Sequence, residues 1–387
     1  MSNYNDYSID SYGAMIRDQR RMAAFSAALQ RAVTPGCVVL DIGAATGIFS
    51  FLACQFGAAR VYAVEPDSSI EVARACAKGI PGAERITWIQ GLSTEIDLPE
   101  KVDVVVGDLH GVLPFFKGNL ESLSDARKRH LKPGGTLIPS RDVLYAVPAH
   151  APHEYLRLQK PWQENDFGID FSPSLRYVAN TWWRADKAPA QPENLLASPQ
   201  CWGEVPYATA DITAMEGLLT WDIERAGILH GLYVWFDGDL GAGIGYSNAP
   251  QLSEMVYGRA FFPLGQAVQV LPGDKLTTHL TVKRVKGDHI YRWKSQVQGA
   301  DGRIKASFDQ STFKARLIPV EQLRKAAVDY VPAITAEGEV LRFILDQIAQ
   351  ALPLKDIAVA VASTFPAKFA NTDLAMQETV KVAQKYG

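Results

Sequence analysis

Cysteine is scarce: only Cys37, Cys54, Cys76 and Cys201 occur in 387 residues, with no CxxC pair among them. Three of the four sit inside apolar segments, where cysteine behaves as a small hydrophobe, so neither a disulfide framework nor a metal site is expected. An excess of either charge is missing too. Against 42 Asp and Glu stand 39 Lys and Arg, a formal net charge of -3, which gives no general pull toward nucleic acid or anionic lipid. No apolar run is long enough to span a bilayer, and the opening MSNYNDYSIDSYGAMIRDQRR lacks the apolar core of a signal peptide. The expectation is a cytoplasmic chain without metal, nucleic-acid or membrane partners.

What is present suffices for several cores. The composition is 47% hydrophobic and 21% charged, and the chain exceeds the length at which one core normally keeps growing. Over residues 38 to about 139, the β-branched runs VVLDI, RVYAVE, ITWIQ and VDVVVGD alternate with the helical stretches ATGIFSFLACQF, SSIEVARACAK and 119–131. That alternation predicts a parallel, Rossmann-like α/β sheet with crossover helices. Gly57 and Gly79 supply helix stops. After Pro139, short aromatic and β-branched strands broken by PGD, KGD and GADG predict an antiparallel β-barrel or sandwich. Residues 171–199, rich in Pro, Ala and Trp, fit strands poorly and read as an arm or a lid. Val340, Leu341, Ile344, Leu345, Ile348 and Leu352 fall at helical spacing and predict a small C-terminal helical module. The expected domains are 1–139, 140–324 and 325–387.

The chemistry concentrates after the first strand. Asp41, Gly43, Ala45 and Gly47 form a tight turn running into a helix, where missing side chains let a ligand approach the backbone. Glu65 ends the second strand, where an acid can accept both ribose hydroxyls of an adenosine. A dinucleotide's pyrophosphate requires free helix N–H groups and the full glycine set, whereas a sulfonium link requires neither. With Ala45 in a glycine's place, S-adenosylmethionine is favoured over NAD.

The stretches VVLDIGAATGIFSFLACQFGAARVYAVEPD, VDVVVGD and LKPGGTLIPSRDVLYAVP resemble the core of the protein arginine methyltransferases, a class I methyltransferase family. SYGAMIRDQRR resembles the family's N-terminal helix, and WQENDFGIDFS, GLYVWF and VLPGDKL resemble its barrel segments, so the resemblance covers 7–314. It implies a lid helix carrying Tyr12 and Met15, and Arg21 on the donor's methionine carboxylate. Gly43, Ala45 and Gly47 would follow the methionine portion, Glu65 the ribose, and Ser93 with Thr94 the adenine. It also implies a homodimer docked through the arm at 171–199.

The acceptor loop departs from the family, which holds a guanidinium between two glutamates. Here GDLHGVLPFFKGNL places Asp108 at the first position and Lys117, of opposite charge, at the second. The family's Thr-His-Trp loop becomes Met255, Val256 and Tyr257. These departures predict a non-arginine acceptor, a small molecule or specialised metabolite. Asp108 and His110 are the candidate catalytic pair, His110 having a pKa suited to proton removal near neutrality. Lys117 is the candidate for an acceptor carboxylate, with Phe115 and Phe116, alongside Trp182 and Trp183, as aromatic walls. The C-terminal segment resembles PqqD-type winged-helix modules that present precursor peptides, which keeps a peptide or protein acceptor open beside a simple structural cap. A non-catalytic adenosyl-ligand binding protein is the third reading.

Overall fold

β-Branched runs bounded by glycines become a parallel sheet. The computed structural model describes residues 7–185, 187–209 and 211–386, so residues 1–6 of the polar opening lie outside the described residues. The chain divides into two units, Met1–Arg316 and Leu317–Gly387. In the first, helices α1 (Ile9–Arg17) and α2 (Gln19–Ala32) lead into strands β1 (Val38–Ile42), β2 (Arg60–Glu65), β3 (Ile86–Gln90), β4 (Val102–Val106) and β5 (Leu131–Ile138). Helices α3 (Ile48–Gln55), α4 (Ile70–Ala77) and α5 (Asn119–Arg129) connect them. All pairings are parallel, in the order β3-β2-β1-β4-β5. That order reverses between β1 and β4, which opens a crevice at their carboxyl ends, the place where such sheets hold ligands.

Val39, Leu40, Val61, Ala63 and Val105 are fully buried, and Phe25 of α2 stacks on Phe49 of α3 at 4.8 Å. Each large aliphatic or aromatic side chain so buried contributes about 1.5–3 kcal/mol, so the sheet holds the crevice residues on a rigid base. Asp18 starts α2 by accepting the Arg21 N–H at 3.1 Å, an N-cap that leaves Arg21 in the first helical turn.

The remainder of this unit is antiparallel. Strand β6 (Arg141–Ala149) is followed by α6 (Pro152–Gln163), α7 (Leu175–Ala179), β7 (Trp183–Arg184) and β8 (Gln200–Val205). Then come β9 (Ala214–Asp222), β10 (Gly227–Gly241), β11 (Ile244–Ser247), β12 (Ala260–Val270), β13 (Lys275–Val285), β14 (Asp288–Gln298) and β15 (Ile304–Ser311). One sheet runs β7-β12-β10-β6-β8 with β11 on β10, and the other runs β15-β14-β13-β9. The two meet without pairing: a Cβ at Gly217 in β9 would stand 2.5 Å from the Trp202 carbonyl oxygen of β8, and one at Gly265 in β12 would stand 3.3 Å from the Phe308 ring of β15. The expected barrel is therefore two hydrogen-bonded sheets closed by packing rather than one continuous ladder. Its centre holds Trp221, Tyr291 and Trp293, whose indole N–H donates to the Pro263 carbonyl at 3.0 Å.

Two expectations for this region need correcting. Trp182 lies among Phe262 and Tyr291, at centroid distances of 6.2 and 6.0 Å, and Trp183 pairs with Phe261 and donates to the Val178 carbonyl. Both tryptophans are packing elements, not walls of a ligand pocket. Of the described residues of the 171–199 arm, Phe171 (41%) is an exposed large apolar side chain, and Phe167 (81%) and Ile169 (54%) precede it. Helix α6 is also unanticipated, although Pro152 in its first turn and buried Tyr155 and Leu158 three apart are ordinary helix signals.

In the second unit, α8 (Val320–Lys325) precedes α9 (Ala336–Ala349), α10 (Leu354–Thr364) and α11 (Thr372–Tyr386). Thr335 caps α9 through the Gly338 N–H, and Val340, Ile344, Ile357, Val361 and Val382 form its core. Leu341, Leu345 and Ile348 pack beside them, whereas Leu352 lies beyond α9 and is exposed. Among the described residues of this unit there is no strand, so the wing of a winged helix is not found there. No described helix is long and apolar enough to cross a membrane.

Candidate functional site

The turn after β1 is built on left-handed backbone: Gly43, Ala45 and Gly47 have φ of 70°, 48° and 86°. At Gly47 a Cβ would meet the Trp88 ring at 2.7 Å, so glycine is required there both by conformation and by space. Ala45 adopts the same region and gives its N–H to Glu65 Oε2 at 2.9 Å, while Glu65 Oε1 accepts the Asp67 N–H at 2.8 Å. Burial raises the Glu65 pKa, and these two backbone bonds hold it back. A carboxylate has about four acceptor positions, so Glu65 is braced from behind with acceptor capacity left over.

Above this turn lies a cleft of about 1180 Å³. Single ligand pockets usually measure about 300–1,000 Å³, so there is room for two small molecules side by side. Tyr12 and Met15 of α1, Arg21 of α2, and Gly43 and Ala45 of the turn line it. Glu65, Ser93 and Thr94 join from the ends of β2 and β3, and Asp108, His110, Phe116 and Lys117 from the loop after β4. Three predicted contacts are absent from the lining. Gly47 sits against Trp88 and Phe51. Asp41 is buried beneath the turn, accepting the Ser50 hydroxyl at 2.6 Å, and burial pushes its carboxyl up to about 7. Phe115 is buried, its ring edge-on to His289 and its carbonyl accepting from Tyr291. These three shape the cleft without facing it.

One buried network occupies the middle. The Arg21 Nε donates to Asp108 Oδ2 at 2.5 Å, its Nη1 donates to the Met15 carbonyl at 3.1 Å, and the guanidinium lies over the rings of Phe49 and Phe25. Burial alone would lower the Arg21 pKa, but the Asp108 charge reverses that and the net shift is upward. Asp108 Oδ1 lies 2.8 Å from His110 Nδ1, and His110 Nε2 lies 2.8 Å from Asp142 Oδ2 at the start of β6. The Tyr257 hydroxyl donates to Asp108 at 2.7 Å, and that of Tyr207 donates to Asp142. Burial would depress the His110 pKa, but the Asp142 charge and the bonds to both carboxylates push it up to about 10. Asp108 is opposed by burial yet falls well below the carboxylate range, held there by the Arg21 charge and the His110 bond.

Asp108 and His110, the expected catalytic pair, are thus joined in one hydrogen-bonded network. A general base needs a free lone pair near its working pH, whereas each His110 ring nitrogen lies 2.8 Å from a carboxylate oxygen and the ring is buried. Asp108 is a weak base for the complementary reason. Asp108 and Asp142 thus face Arg21 and His110 within one buried network, the pairing that buried polar groups require.

Lys117 has a left-handed φ of 45°, and its ammonium lies 5.2 Å from the Phe116 ring centroid, both side chains on the cleft wall. Elsewhere on the cleft lining, Glu121 pairs with Arg284, and Glu254 with Arg184 at 2.9 Å. Asp18, Asp142 and Tyr207 were missed from sequence. Tyr257, counted there as a lost support, is a direct partner of Asp108. Asp142 had a faint signal, since it takes an inward position in the alternation Asp142, Leu144, Ala146, where an acid has no reason to be without a partner.

Residues 39–135 match the family described as "Methyltransferase domain". The chain is 34% identical over 238 residues to a probable histone-arginine methyltransferase CARM1 of Oryza sativa subsp. indica, covering 58% of this chain and 44% of that one. It spans about half the length of the first curated relatives it matches. Among solved structures, protein arginine methyltransferase 10 of Arabidopsis thaliana superposes with a TM-score of 0.70 at 24% identity, covering 79% of this chain and 97% of that one. A PRMT1 enzyme-prozyme heterotetrameric complex with AdoHcy from Trypanosoma brucei gives 0.69 at 22%, covering 78% and 96%.

Proposed function

We propose that this chain, whose sequence and fold are those of a class I methyltransferase similar to the protein arginine methyltransferases, transfers a methyl group from S-adenosylmethionine to an acceptor other than arginine. Glu65 carries the donor half of this reading: it is an ionisable acid braced by two backbone N–H groups at the end of β2, beside a turn with no side chain at Gly43. S-adenosylmethionine supplies an electrophilic methyl group when bound. Glu65 would hold the ribose hydroxyls, Ser93 and Thr94 the adenine, and Arg21 the carboxylate. Tyr12 and Met15 would exclude water from above, and Gly43 and Ala45 would border the methionine portion.

The acceptor half rests on Asp108. Its oxygens already serve Arg21, His110 and Tyr257, and the second clamp position is the cation Lys117, so no pair of carboxylates awaits a guanidinium. On this reading the hydrogen-bonded His110 and Asp108 do not serve as the base, and the acceptor atom arrives ready to react, as a thiolate, an ionised enol or phenol, or a ring nitrogen with a free lone pair. Lys117 suits a small acceptor that carries a carboxylate. The same commitment of His110 and Asp108 favours a second reading, a protein that binds the adenosyl ligand without turnover; methyl transfer to any component of a metabolite extract decides against it.

Calorimetry is expected to show heat with S-adenosylhomocysteine and none with NAD, and the reverse result overturns the donor half. Arginine-containing peptides with labelled donor are expected to give no product, whereas robust methylarginine overturns the acceptor half. Phe171, exposed at the start of the 171–199 arm, with exposed Phe167 and Ile169 just before it, supports a homodimer docked through that arm. Light scattering at micromolar concentration is expected to return twice the chain mass, and a monomer removes the proposal.

A further inference from the structure

The donor reading explains Arg21 and Glu65 but leaves His110, Asp142 and Tyr207 without a task. His110 has no exposed ring atom. Its neighbours come from every element around it: Asp108 on its own loop, Asp142 on β6, Tyr207 after β8, Tyr257 before β12 and, through Asp108, Arg21 on α2. Tyr246 of β11 stacks on Tyr257, and Phe236 of β10 stacks on the imidazole at 5.0 Å with an interplanar angle of 14°. Two facing carboxylates at 2.8 Å on opposite ring nitrogens can both accept only from a ring protonated on both.

We propose that His110 is a positioning residue: its imidazolium bridges Asp108 and Asp142, pins the loop after β4 to the first barrel strand, and holds Asp108 against Arg21, thereby setting the affinity of the cleft for its donor. This rests on the reading of the cleft as an S-adenosylmethionine site. Without the bridge, Asp108 and Asp142 are two buried like charges with one cation between them fewer, and the loop is pushed off β6. Arg21 then loses the fixed partner that orients its guanidinium over Phe49 and Phe25.

The test uses the full chain, ¹⁵N-labelled at its seven histidines, few enough for the His110 ring to be assigned by its loss in His110→Gln. At pH 7.5 the ring is expected to show both nitrogens protonated, and to stay so until the pH approaches about 10. In Asp142→Asn the titration is expected to move down toward the ordinary histidine range. His110→Gln is expected to weaken S-adenosylhomocysteine binding by about tenfold or more at pH 7.5, the consequence of leaving buried carboxylates short of a partner. A ring titrating near 6.5 in the wild-type protein, or His110→Gln binding with unchanged affinity, overturns the proposal. Should His110→Gln fail to fold, the wild-type and Asp142→Asn titrations decide. Wild-type protein that binds no S-adenosylhomocysteine overturns the donor reading instead, and the ring titration still decides whether the bridge exists.

Discussion

Replacing Arg21 by methionine is expected to abolish measurable S-adenosylhomocysteine binding and to lower the stability of the first unit by about 3 kcal/mol, the low end for removing one partner of a buried ion pair. The low end applies because His110 and Tyr257 continue to hold Asp108 after the guanidinium is gone. Methionine keeps the apolar stem against Phe25 and Phe49, so the loss is of charge rather than of packing. Calorimetry measures the first effect and denaturant unfolding the second. The double replacement Arg21→Met with Asp108→Asn is expected to recover much of the stability, since no uncompensated charge remains, and none of the binding. Binding by Arg21→Met within threefold of wild type would show that the guanidinium serves the fold alone.

The second large effect is at Glu65, where stability and binding are expected to part. Glu65→Gln keeps the shape but turns one of the two oxygens that accept from Ala45 and Asp67 into a donor. Charge-assisted hydrogen bonds contribute about 1.5–3 kcal/mol each, so affinity for S-adenosylhomocysteine is expected to fall between roughly tenfold and a hundredfold. Stability moves little, for a reason of sign. Burial places the folded pKa of Glu65 above its unfolded value, so the acid's contribution is present at low pH and lost as pH rises through the folded value. At pH 8 the amide therefore gives up no stabilising charge, only one backbone hydrogen bond. Parallel losses in melting temperature and affinity would mean that Glu65 matters as a brace of the turn and not as a ligand group.

The parallel sheet was legible because its signals are local. Each β-branched run is closed by a glycine or an acid, and both Gly47 and Glu65 stand where chain geometry demands them. The network around His110 was illegible for the opposite reason: Tyr207 is 97 residues from His110 and Tyr257 is 149 from Asp108, and nothing in a one-dimensional pattern says which strand ends meet. A lone histidine beside an aspartate then resembles a catalytic pair. Only the second carboxylate, on β6, reveals it as a bridge. Trp182 and Trp183 misled similarly, because aromatics in a proline-rich interval look exposed until the sheet that covers them is known. Helix α6 was lost to context, its short pattern lying between stretches that read as strands.

Asp18, at the junction of α1 and α2, accepts the Val256 N–H at 2.7 Å, and Arg20 beside it donates to the carbonyls of Ser247 and Ser253. The roof of the crevice is thus bolted to a part of the polypeptide made more than two hundred residues later. During synthesis the parallel sheet can form early, as N-terminal segments generally do, but the nascent chain remains open-topped until the region around 250 has emerged and found its place. Ligand competence is in this sense a late property of an early domain.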